Sequence, residues 1–262
     1  MRRIQADIVS RPALELVAKL ALPAEPDRQT QRAMAMLRGW DGAMRADRPE
    51  PLIYHAWLGV LVERLLVAKT GIRDRYFHAN AELVLQVLSQ RPDWCGPAKD
   101  ASTNPCVALL WDALSEALAT VRRDLGDPEK ARWGDVHEAR FDHPILAKLP
   151  GLAAWSGLRI AVPGDNYTVN RAATFGEKPG EPYATRHGSG YRGIYPLSNL
   201  SLSVNSIAPG QSGNPFSKHY GDALADWSRA LLQRHAAAGA ERDRWPVLKL
   251  TPLATPPRAS ID

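Results

Sequence analysis

A chain of 262 residues with 45% hydrophobic and 23% charged residues has an ordinary globular composition and is long enough to bury a core. Its net charge of +5 comes from scattered Lys and Arg rather than a basic block, so the sequence favours a solvated surface over a nucleic-acid footprint. No unbroken run of about eighteen apolar residues occurs, so no membrane span is expected. No signal peptide is expected either, because Asp7, Arg11, Pro12, Glu15 and Lys19 interrupt the apolar part of the first segment.

The first 126 residues predict helices. Ser10 is placed to cap one, with Pro12 in its first turn and Leu14, Val17, Leu20 and Leu22 at roughly helical spacing. "TQRAMAMLRGWDGAMRAD" predicts a second, with Ala33, Leu37 and Trp40 on one side, and Pro49 and Pro51 follow as punctuation. "LIYHAWLGVLVERLLVAKTG" gives the strongest pattern, a stripe of Ile53, Trp57, Val60, Leu61 and Leu65 ended by Gly71. "NAELVLQVLSQRPDW" is a further helix ended by Arg91–Pro92, and "PCVALLWDALSEALATVRRDLG" another, stopped by Gly126.

Residues 127–262 read differently. "DPEKARWGDVHEARFDHPILAKLPGLAAWSG" is loop-like, and strands are predicted at "LRIAV", "YTVNRA", "YRGIYPL", "LSLSVNSIA" and "VLKLTPL". One helix is predicted among them, near residues 217–236, with Ser217 as its N-cap and Tyr220, Leu224, Trp227 and Leu231 on one face. The tail "TPLATPPRASID" reads as ragged. The class is α+β, a helical first part followed by a mainly antiparallel β part, because the strands do not alternate with helices.

Candidate chemistry centres on "GQSGNPFSKHYGDALADW", from Gly210 to Trp227. Ser212 sits in Gly210-Gln211-Ser212-Gly213-Asn214, where the second glycine comes one place too early for a nucleophile elbow, so Ser212 reads as a turn residue. Ser217, His219 and Asp222 carry the residue types of a triad, but capping and the helix dipole account for Ser217 and Asp222. His137, Asp142 and His143 have ligand chemistry without a metal-binding spacing. Asp165 reads as a turn residue, and Lys218 has no acidic or apolar trap around it in the sequence. Cys95 and Cys106 enclose a turn-rich loop; spacing alone leaves a disulfide and two free thiols equally open. No complete catalytic set emerges from the residues themselves.

The same stretch resembles the carboxy-terminal signature of the penicillin acylase (penicillin amidase) family: Gly210, Ser212, Gly213 and Asn214, then Ser217, His219 and Tyr220, then Asp222 and Trp227. Further segments agree in order: "IQADIVSRPA", "LRGWDGAM", "WCGPAKDASTNPC", "WGDVHEARFDHP", "GDNYTVN" and "GSGYRGIYPL". The resemblance implies an αββα N-terminal-nucleophile hydrolase of linear amides, acting on a β-lactam side chain, an N-acyl homoserine lactone or another N-acyl compound. It implies a Cys95–Cys106 disulfide and, for the complete protein, a periplasmic or secreted location. It also implies that residues 1–262 correspond to the last portion of the family's β subunit. The autocleaved Ser, the oxyanion-hole Asn and the calcium ligands would then lie upstream, on a missing amino-terminal half that is this chain's partner. No catalytic, cofactor or metal residue is therefore assigned here. Pro196 and Gly190 depart from the family pattern, which usually has an acid and a Ser there. A non-catalytic or split-partner protein retaining the half-fold is the alternative expectation.

Overall fold

A computed structural model of the protein describes residues 2–20, 27–72, 78–97, 104–174 and 180–234. The strand expected at "VLKLTPL", the tail and the end of the helix expected near 217–236 lie outside the described residues.

After a short α1 (Arg2–Gln5), Pro12 opens α2 (Arg11–Ala18). Ser10 does not cap it with its side chain; it is fully buried, and its amide donates to the Gly42 carbonyl at 2.9 Å. Asp27 caps α3 (Arg28–Arg38) by accepting from the Gln29 and Thr30 amides. The central rod is α4 (Glu50–Val62), which runs through a wide turn at Glu63–Val67 into α5 (Ala68–Thr70) and stops at Gly71 with φ +71°. The expected stripe understates it, because Glu50 through Leu58 are all buried, so that stretch of α4 is enclosed on every side before Gly59 reaches the surface. By length and composition Glu50–Thr70 could cross a bilayer, which the count of unbroken apolar residues missed; 67% of its most apolar window is buried inside the fold. Asn80 caps α6 (Ala81–Gln90), and Asn104 caps α7 (Pro105–Leu125), which packs along α4 with Trp57 Nε1 donating to the Leu110 carbonyl at 2.9 Å.

The second part carries the strands. They are β1 (Glu138–Phe141), β2 (Leu158–Ala161), β3 (Ala172–Thr174), β4 (Thr185–Gly188), β5 (Tyr191–Ile194), β6 (Val204–Ile207) and β7 (Gln233–Arg234). A single turn, α8 (Ala153–Ser156), precedes β2, and α9 (Leu224–Ser228) precedes β7. One sheet has the order β2-β1-β4-β3 and the other β5-β6-β7. Pairing is antiparallel except between β1 and β4, which are parallel. Strand β1 falls in a stretch read as loop, since its alternating charges hid its pairing with β2. "YTVNRA" is extended only from Ala172, because Asp165 folds residues 165–168 into a turn.

The helix expected near 217–236 is much shorter than its apolar spacing suggested. Residues before α9 form turns: Ser217 Oγ accepts from the His219 amide, and Gly221 packs so closely on Leu158 that a Cβ would stand 2.9 Å from its side chain. At the other end Ala230 takes φ +53° and the chain turns into β7, leaving Leu231 47% exposed instead of on a buried face.

Cys95 and Cys106 are disulfide-bonded, tying the turn after α6 to the start of α7 across 11 residues of sequence. Closing a loop of this length in the unfolded chain is worth about 2–3 kcal/mol. Replacing both cysteines by Ser is expected to lower the unfolding free energy by about that much, measured by denaturant melts with intact protein as reference.

Candidate functional site

The Gly210–Trp227 stretch folds back on itself through its own short polar side chains. Ser212 Oγ accepts from the Asn214 amide at 3.1 Å, Asn214 Oδ1 from Phe216 at 3.0 Å and Ser217 Oγ from His219 at 3.2 Å. The Ser212 amide donates to the His219 carbonyl at 3.0 Å, which closes the loop beside Gly210. A Cβ on Gly210 would lie 2.3 Å from that carbonyl oxygen, so only glycine fits without movement. His219 Nδ1 contacts Asp222 Oδ2 at 2.7 Å on an exposed surface, while Ser217 Oγ faces the His219 backbone rather than its ring. The three residue types thus meet as a turn and a surface hydrogen bond, not as nucleophile, base and orienting acid. Lys218 is exposed.

Outside contacts anchor this turn. Tyr220 OH donates to the Ser156 carbonyl at 2.5 Å, and His143 Nε2 donates to Gly213 O at 3.1 Å while its Nδ1 accepts from the Ile145 and Leu146 amides. Trp227 is buried; its Nε1 donates to Ser189 O at 2.7 Å and its carbonyl accepts from Arg192 at 3.0 Å. The Arg192 guanidinium lies 5.2 Å from the Trp227 ring centre and also bonds Asn170 Oδ1, so "GDNYTVN", "YR" and the final Trp of the signature share one buried joint. Gly190 borders a small cavity of about 160 Å³ beside Trp227.

A second convergence lies deeper. The Trp133 ring is sandwiched between His55 and His137, at centroid distances of 4.5 and 4.2 Å, with Tyr183 edge-on at 5.7 Å. Trp133 Nε1 donates to Gly164 O at 3.2 Å, and the Gly164 amide donates to Met44 O at 2.9 Å. Asp165 Oδ1 accepts from the Tyr167 and Thr168 amides at 2.7 and 3.0 Å, while Oδ2 stands 3.8 Å from His55 Nε2. The Asn170 amide reaches Asp7 O at 2.8 Å. His55 is the member that sequence reasoning missed: it was visible only as one position in an apolar helix, and its partners lie far along the chain.

The ligand-type residues do not gather. His137 is buried, with Nδ1 donating to Tyr183 O at 2.6 Å; Asp142 pairs with Arg186; His143 braces the signature turn. Among the described residues no three His, Cys, Asp or Glu side chains are arranged to hold a metal ion. A groove of about 680 Å³ beside the end of α7 presents Asp124, Asp135, Glu138 and Glu181 around Arg140, which is charge rather than an activated nucleophile.

Gly210→Ala is expected to destabilise the chain by about 1–3 kcal/mol, because the methyl group must displace backbone, and a thermal melt checks it. Burial sets a second prediction. It lowers the pKa of His55 well below 6.5 and that of His137 to about 4, so both are neutral in the fold while their unfolded counterparts protonate near 6.5. The unfolded chain therefore binds more protons, and stability falls as pH drops below 6.5: for His137 by about 1 kcal/mol per pH unit down to about 4, with His55 acting in the same sense. Burial raises the Asp165 pKa above 3.8, which acts in the opposite sense, removing stability as pH rises through its folded value. Denaturant melts at pH 7 and pH 5 are expected to differ clearly, and the difference should shrink in His137→Gln, which cannot charge.

The penicillin amidase family model matches residues 1–237. The chain is 32% identical over 221 residues to penicillin acylase 2 proenzyme of Pseudomonas sp. (strain SE83), covering 81% of this chain and 26% of that protein. It is 25% identical over 236 residues to the acyl-homoserine lactone acylase QuiP of Pseudomonas fluorescens, covering 84% of this chain and 28% of that protein. The chain thus spans little more than a quarter of the length of these curated relatives. In fold it is similar to a solved thermostable penicillin G acylase from Alcaligenes faecalis, with a TM-score of 0.50 and 17% identity over 95% of this chain and 48% of that one. With the family match running through nearly every segment that builds the two convergences, this chain belongs to the penicillin amidase family.

Proposed function

We propose that the chain is the carboxy-terminal scaffold of an N-terminal-nucleophile amidohydrolase that cleaves linear amides. Its substrate is an N-acyl compound: a β-lactam side chain, an N-acyl homoserine lactone or a related amide. The observation that carries this reading is the family match over residues 1–237. The relatives' names supply the substrate classes, and their greater length supports a nucleophile on polypeptide outside these residues. In this reading a free amino-terminal Ser attacks the amide carbonyl, with its own α-amine, titrating near about 7.7–8.0, as base. Backbone and side-chain donors then hold the oxyanion. The residues of this chain form the support on which that site rests: Ser212, Ser217, His219 and Asp222 are already engaged in turn and surface contacts. We place the calcium of the complete enzyme on the remaining polypeptide, and the complete protein in the periplasm or outside the cell, where the Cys95–Cys106 bond is favoured.

A second reading is a separately made, non-catalytic half-fold. The continuous buried cluster formed by α2, α3, α4, α6 and α7 favours it, since that cluster is a core in its own right. The two readings separate on the native source. The peptide Gly210–Trp227 is expected in a chain heavier than 28.8 kDa that begins with Ser. A 28.8 kDa chain beginning at Met1 would favour the half-fold. Purified residues 1–262 alone are expected to show no hydrolysis of phenylacetyl or long-chain acyl amides; turnover would overturn the assignment of the nucleophile elsewhere.

A further inference from the structure

Ser10 Oγ, Tyr54 OH, His55 Nε2 and Asp165 Oδ2 all lack a hydrogen-bond partner, and all belong to residues no more than 4% exposed. They come from the turn before α2, from α4 and from the loop between β2 and β3. Their surroundings are shared. His55 Nε2 and Asp165 Oδ2 are 3.8 Å apart, too far for a direct bond. The Ser10 hydroxyl lies beside the same carboxylate without a well-formed bond to it. The Tyr54 ring packs edge-on against the His55 ring, with centroids 5.1 Å apart, which brings Tyr54 to the same junction. Asp165 Oδ1 is occupied by two backbone amides, so Oδ2 is the oxygen left over.

A buried polar atom without a partner loses its hydrogen bonds to water and gains none in return, so four together would remove a large part of an ordinary domain's stability. Native folds resolve such clusters with an internal water that makes about two to four hydrogen bonds. The donor set fits water better than a metal ion, since only His55 and Asp165 are strong ligand types and no metal-holding group occurs among the described residues.

We propose that one ordered water molecule is bound at the junction of Ser10, Tyr54, His55 and Asp165 as an integral part of the fold. Its two hydrogens go to Asp165 Oδ2 and to the lone pair of neutral His55 Nε2. Its oxygen accepts from the Ser10 and Tyr54 hydroxyls. All four bonding positions of water are then used, and all four protein atoms are satisfied. The site explains what two of the family-like segments have in common: the Ser of "IQADIVSRPA" and the Asp of "GDNYTVN" meet there. It does not depend on the amidase reading.

A high-resolution crystal structure of the 262-residue chain, with melts of Ser10→Ala, Tyr54→Phe and the double variant, tests this. A density peak is expected about 2.6–3.2 Å from Asp165 Oδ2 and His55 Nε2. Tyr54→Phe is expected to lower Tm by about 2–4 °C, and the double variant by less than the sum, because both hydroxyls act through one molecule. A Tyr54→Phe Tm that is unchanged or raised would overturn the proposal, since it would mean the hydroxyl had no partner to lose. So would a crystal structure with His55 and Asp165 in direct contact and nothing between them, or a Tm that climbs with added sodium or potassium, which would mark an ion. If Ser10→Ala does not fold, the peak and Tyr54→Phe still decide.

Discussion

The Trp133 sandwich holds the helical and β parts in one arrangement. Its ring belongs to the helical core, stacked on His55 of α4, yet its indole N–H reaches the Gly164 carbonyl in the loop that leads to β3. On the opposite face His137 stacks and reaches Tyr183, just ahead of β4. A buried indole needs a partner for its N–H, and a flat ring stacked on both faces leaves little rotational freedom, so position and orientation are fixed together. The backbone bonds from Trp133 to Arg48 and from Gly134 to Ala46 close the same seam from the side of the loop before α4.

The signature turn depends on a second joint of the same kind, smaller and nearer the surface. Arg192 is buried against Trp227 and finds acceptors on Asn170 and on the Trp227 backbone. Burial pushes its pKa down, yet a guanidinium starts so high that it stays charged, and the flat cation over the indole face recovers part of the lost hydration. The turn from Gly210 to Trp227 is then a clamp on β5 and β6 rather than a place where bonds are made or broken.

The helices were legible because their information is local. Asn80, Gly71 and Pro92 punctuate the chain, and apolar spacing does the rest. The late helix misled for the same reason: Leu224, Trp227 and Leu231 repeat at helical spacing, but Gly221 against Leu158 and the left-handed Ala230 set limits that only tertiary contacts reveal. Strand β1 was hidden by Glu138 and Arg140, which sit in the sheet as an ion pair instead of marking a loop. The resemblance picked out the segments "GDNYTVN" and "GSGYRGIYPL", which carry Asp165, Asn170 and Arg192, and Trp227 itself. That they meet in space, and that His55 joins Asp165, follows from long-range packing that a single sequence does not record.

The enclosed helix α4 carries a consequence for how such a protein is made. For the exported enzyme proposed here, the segment Glu50–Thr70 presents a translocation channel with a helix of mean hydropathy 1.4 in its most apolar window, long enough to be mistaken for a membrane anchor. Glu63 and Arg64, placed inside the segment rather than at its end, each make lateral release into lipid unfavourable by a few kcal/mol. In the folded chain the Arg64 guanidinium is bonded to Glu116 of α7. One of the two charges that disfavour the bilayer thus also ties this helix to α7 in the fold.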